Sequence, residues 1–169
     1  MKFSWWKFFL GFIFYLFFHE FYDLAGGSVI GWILGEGIGG VYPHMKMLFY
    51  AYLVVSIIDY FIQRNKGTLG SSFFYSRMLI LAAVPWMMII IYYAVEAVGV
   101  ELPRVYDIIW AIINTLLGLY FSIRLEETFD NMPLRGATKG MIVLAFLTAL
   151  ITYIGFSFHV PDNFFFVVE

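Results

Sequence analysis

The stretch GGSVIGWILGEGIGG, residues 26–40, decides how many times this chain of 169 residues crosses a bilayer. Its glycines at 27, 31, 35 and 39 recur every four residues, and one acid, Glu36, lies among otherwise apolar neighbours. Written as a helix over residues 28–40, it is about 20 Å long at ~1.5 Å per residue. That is short of a hydrocarbon core of roughly 30 Å, so it is not a span. Small residues every four positions let helix backbones approach closely in lipid. The segment is therefore expected either to pack along the membrane surface or to dip in and return. A dip is tolerated only where protein or a water-filled cavity surrounds the backbone. In that case Glu36 faces inward, because a charge at the bilayer centre costs ~3 kcal/mol or more. Gly39, Gly40 and Pro43 then turn the chain into the next apolar stretch.

Working outward, five flanking stretches qualify as spans: 4–24, 44–62, 78–95, 104–123 and 140–158. Each approaches the ~20 mainly apolar residues that a spanning helix needs. The composition agrees. The chain is 62% hydrophobic and 13% charged, with a mean hydropathy of +0.84, whereas a soluble domain is about half apolar and a quarter charged. The opening MKFSWWKFF is not read as a signal peptide, because the apolar run continues to His19–Asp23 without a small-residue cleavage site. The expected fold is all-α: one polytopic membrane domain over residues 1–169, with five transmembrane helices and a short glycine-rich re-entrant or interfacial helix.

Charge sets the threading. Lys2, Lys7, Arg64, Lys66, Arg77, Arg124, Arg135 and Lys139 fall on one side, and only Lys46 and Arg104 on the other. Basic residues stay on the cytoplasmic side, so the N-terminus is expected inside and the C-terminus outside, in a cell membrane. All three histidines and eight of the twelve acids then map to the outer half. The formal net charge of −2, with no Lys/Arg cluster, excludes a nucleic-acid partner. The absence of cysteine excludes disulfides, thiolate metal sites and cysteine nucleophiles.

Polar residues recur at helical spacing on the spans: Tyr15, His19, Tyr22 and Asp23; Tyr52, Ser56, Asp59 and Gln63; Asp107, Asn114 and Ser122; Thr148, Thr152 and His159. Such stripes face neighbouring helices, and Asn114 alone is worth ~1 kcal/mol as interhelical glue. Pro85 predicts a kink. His19, Tyr22, Asp23, Glu36, His44, Lys46 and Asn114 are the candidate residues for binding a solute or ion. HEFYD, residues 19–23, resembles the zinc motif H-E-x-x-H with Asp in the last place. His19 and Asp23 could hold a divalent metal, with His44 or His159 as a third ligand and Glu20 as general base.

Three stretches together resemble a family of small bacterial five-helix integral membrane proteins of unknown function: FFHEFYDLAG (17–26), HMKMLF (44–49) running on to SIIDYF (56–61), and FSFHVP (156–161). In that family the second span follows an acidic motif ending in W-E-H-x-K-L. Here residues 39–47 read GGVYPHMKM, so the acids before the histidine are missing and Glu36 is the candidate substitute. The resemblance implies a five-helix bundle and attention to His19, Tyr22, His44 and Lys46, with no reaction attached. The function expected is binding and passage of a small solute or ion through an outward-facing polar cavity. The alternatives are a metal-dependent hydrolase using His19, Glu20, Asp23 and His44, and a non-catalytic accessory or assembly subunit of a membrane complex. The bilayer is the expected environment, and the glycine stripe offers a face for a homo-oligomer.

Overall fold

The computed structural model of the protein describes residues 3–37, 40–159 and 161. Among these residues the chain forms six helices and no strand: α1 Trp5–Leu24, α2 Val29–Leu34, α3 Val41–Lys66, α4 Phe73–Ala97, α5 Arg104–Phe129 and α6 Gly136–Phe158. The helices α3 to α6 are long and apolar enough to cross a membrane. With 20 residues α1 is long enough too, but Lys7, His19, Glu20 and Asp23 dilute its apolar content and it falls outside that group. Ile90, Met141, Ile151 and Leu144 are each about two-thirds or more exposed (71, 71, 68 and 66%). Contiguous apolar faces of this kind mark a membrane environment rather than water, and the protein is a multi-pass membrane protein in its helical composition.

The long helices overrun the apolar stretches. Residues 44–62 become 41–66, 78–95 become 73–97, and 104–123 become 104–129. Hydropathy stops where side chains become polar, whereas backbone hydrogen bonding continues until something interrupts it. At the end of α3 the interruption is Gly67, in the left-handed region at φ 65°: its N–H donates to Arg64 O, and the Thr68 N–H donates to Gln63 O. Pro85 lies inside α4 without ending it.

The glycine-rich segment differs from the expected helix over 28–40. Only Val29–Leu34 is helical. Ser28 caps it by accepting from the Gly31 N–H, and at Gly35 the backbone becomes extended. Glycine is a poor helix former, and four glycines in the last six positions of the segment defeat continuation. Residues 38 and 39, including one glycine of the stripe, lie outside the described residues.

α3 is the central post. Met47, Phe49 and Ala51 are wholly buried on consecutive faces, so neighbours surround the helix rather than flank it. It packs on α1, α4 and α5, while α4 also packs on α5 and α6. Side chains bridge α3 to α6: Phe49 meets Tyr153 at 4.9 Å and Phe146 at 6.0 Å between ring centroids. The alternating directions of the long helices leave one end of the bundle carrying Lys7 and the other carrying His19.

Candidate functional site

The site at the His19 end begins with a backbone contact. A Cβ added at Gly35 would meet Tyr22 N at 2.6 Å and Phe18 O at 3.2 Å, and one at Gly31 would meet Tyr22 Cα at 3.3 Å. The stripe therefore lies directly on the α1 backbone between Phe18 and Tyr22, as small residues at an interhelical contact allow. Tyr22 closes the same contact, its ring edge-on to Trp32 at 5.1 Å. This seating places Glu36, one residue past Gly35, over the last turns of α1.

There Glu36 Oε2 lies 3.0 Å from His19 Nε2. The other ring nitrogen of His19 is 3.0 Å from Glu20 Oε1, and an N–H there donates to that carboxylate. His44, in the first turn of α3, stacks on His19 with ring centroids 5.8 Å apart and planes 23° apart. Below it lies the ring of Tyr15, at 6.3 Å. His44 Nδ1 is buried and has no hydrogen-bond partner. Each of His19, Glu36 and His44 offers a ligand atom within 4.8 Å of the others, and they form the metal-capable group found among the described residues. Burial raises the Glu36 carboxyl above the usual carboxylate range, opposed by the charges of His19 and Lys46 and aided by Glu20.

The remaining sequence candidates separate. Lys46 is drawn into a brace, donating to Trp32 O at 2.7 Å and Ser157 Oγ at 3.1 Å, which ties α3 to α2 and α6. Asp23 is exposed and stands outside the group of three. His159 is exposed at the end of α6. Asn114 lies deep in the bundle and donates to Met88 O at 3.0 Å, joining α5 to α4.

The opposite end holds a second polar cluster that the reading by charge overlooked. Lys7 Nζ bonds Asp59 Oδ2 at 2.6 Å and also Glu126. Arg77 reaches Asp59 Oδ2 at 2.9 Å, Glu126 Oε2 at 3.1 Å and Asp130. Tyr52, Gln63 and Ser76 donate to the same three carboxylates. Lys7, Asp59, Arg77 and Glu126 are each at most 7% exposed, so these are buried charges held in ion pairs, with Arg77 Nε facing Glu126 but lacking hydrogen-bond geometry. Lys7 and Arg77 were counted only as orientation signals. The overlooked signal was that acids lie at the same depth on α3 and α5.

Comparison with protein-family models, with curated proteins and with solved structures finds no match.

Proposed function

We propose that the protein is a five-span membrane protein, N-terminus in the cytoplasm, that binds a small cation or cationic solute at the extracytoplasmic end of the bundle. The observation that carries this reading is the convergence of His19, Glu36 and His44 from α1, the glycine segment and α3. Three chain segments arriving at one half-buried spot, with an unpartnered imidazole nitrogen among them, support a ligand site rather than interhelical glue. The eight-to-two split of basic residues supports the orientation. α1 supports the fifth span by its length and by its apolar run between Phe8 and Phe18, interrupted only by Gly11 and Tyr15. The resemblance to small bacterial membrane proteins points to the same His19 and His44.

Binding has more support here than passage. Between the two polar ends the interior is occupied by Met47, Leu48, Phe49, Tyr52 and Val55, all nearly or wholly buried. The test is thermal stability of the purified chain in detergent, measured with sodium, calcium, zinc, choline and arginine. At least one probe should raise the unfolding temperature of the parent and fail to raise that of Glu36→Gln. No stabilisation by any probe, or equal stabilisation of both proteins, overturns the reading.

A further inference from the structure

We infer that the ligand of this site is a divalent transition-metal cation held by His19 Nε2, a ring nitrogen of His44 and the Glu36 carboxylate. The inference rests on the reading of the His19 end as a ligand site and names the class of ligand. The donor set is the first argument. Two imidazoles and one carboxylate suit zinc, cobalt, iron or nickel, whereas calcium and magnesium favour all-oxygen shells. The second argument is distance. Tetrahedral ligands at about 2.0–2.1 Å from zinc stand roughly 3.3–3.5 Å apart. The three ligand atoms already lie within 4.8 Å of one another, with His19 and Glu36 at 3.0 Å. The difference is on the scale of a side-chain rotation.

The surrounding contacts supply the rest. A metal-bound histidine usually donates its other ring N–H to a carboxylate, which fixes the tautomer and aims the free nitrogen. Glu20 stands in that relation to His19, at 3.0 Å from Nδ1. This differs from a general base on the metal's water, the role that the motif resemblance suggested. His44 Nδ1 is buried without a partner, a cost that coordination through that nitrogen would remove. Lys46 is held away by Trp32 O and Ser157 Oγ and does not close the group. Three protein ligands leave a coordination position open for water or for an atom of a substrate, as in hydrolytic zinc sites.

The experiment uses the full chain in detergent, stripped with a chelator and dialysed. Cobalt(II) is titrated in while visible absorption is followed, and zinc is then added in competition. One equivalent of cobalt should give the intense visible bands of a four- or five-coordinate site, and zinc should bleach them. Glu36→Gln and His44→Ala should each weaken cobalt binding more than Glu20→Gln, which should weaken it about 10–100-fold. Asp23→Asn should bind like the parent. Circular dichroism and the elution volume of each variant establish that it is folded. Should His44→Ala misfold, His44→Gln and Glu36→Gln carry the test. Absence of cobalt bands in the folded parent, or unchanged bands in folded Glu36→Gln, overturns the metal site. If cobalt fails while another cation still stabilises the chain through Glu36, the inference falls and the proposed binding function stands. If no probe stabilises it, both fall.

Discussion

Replacing Gly35 by Ala tests the contact on which the site is mounted. The added Cβ would sit 2.6 Å from Tyr22 N, 3.0 Å from Gly31 O and 3.2 Å from Phe18 O. All three are backbone atoms, so no side chain can swing aside, and the glycine segment itself must lift from α1. The backbone at Gly35 is extended at φ −104°, which alanine adopts freely, so the whole effect is steric. Overpacking a tight contact costs typically about 1–3 kcal/mol. For a chain of this size each kcal/mol lowers Tm by roughly 2–4 °C, so a loss of several degrees is expected. Gly140→Ala is the matched control, because nothing lies within 4 Å of a Cβ there. Gly31→Ala, with its nearest contact at 3.2 Å, should fall between the two. Tm is followed in detergent by intrinsic fluorescence, and cobalt affinity is measured on the same samples. Lifting the segment also withdraws Glu36 from His19, so affinity should fall together with Tm. A Gly35→Ala protein that melts with the Gly140→Ala control would show that the segment does not rest on α1.

Single cysteines at Thr68 and Glu101, both exposed beyond helix ends, should label from opposite sides of the membrane, Thr68 from the cytoplasm; labelling of both from one side refutes the threading. Arg77→Met leaves the buried carboxylates of Asp59 and Glu126 facing Lys7 alone and removes the ion pair of Asp130. Breaking a buried pair costs about 3–5 kcal/mol, so the variant should unfold far below the parent, and a near-parental Tm would mean the cluster is solvated. Asn114→Leu removes the bond to Met88 O; interhelical bonds in membranes are worth only ~0.6–1.7 kcal/mol, so its Tm should drop by a few degrees and cobalt binding should not change.

The helices were legible because apolar runs near span length have few physical alternatives. Their ends were not, since the last turn of α3 is helical but polar, and Ser76 and Arg77 separate the aromatic first turn of α4 from its apolar run. Of the candidate site, His19 and His44 could be paired from the sequence because one ends its helix and the other begins the next on the same side. Glu36 was singled out as an acid that could not face lipid, yet its partner depended on a register between the stripe and α1 that only the packing at Gly31 and Gly35 fixes. The choice of Asp23 as a ligand followed from its spacing to His19 along the helix. It was set aside because a ligand from another segment, Glu36, lies nearer His19 Nε2. The cluster of Lys7, Asp59, Arg77, Glu126 and Asp130 escaped notice because long-range pairing between helices leaves no periodic trace.

The two polar ends explain how α1 keeps its place in the bundle although it falls outside the group of candidate spanning helices. In lipid, apolar side chains do not drive helices together, since lipid tails are as apolar as leucine, and association falls to close packing and polar contacts. α1 uses both. At one end Lys7 joins α3 and α5 through Asp59 and Glu126. At the other, the glycine stripe lies on its backbone and Glu36 holds His19. Between them Gly11 admits Leu119 of α5, which would stand 2.9 Å from a Cβ there. A helix fixed at three points keeps its register, and with it the distance from His19 to His44. On this reading the site at one end depends on the ion pairs at the other through the rigidity of α1. Loosening Lys7 should therefore broaden the geometry of the histidine pair before it unfolds the bundle.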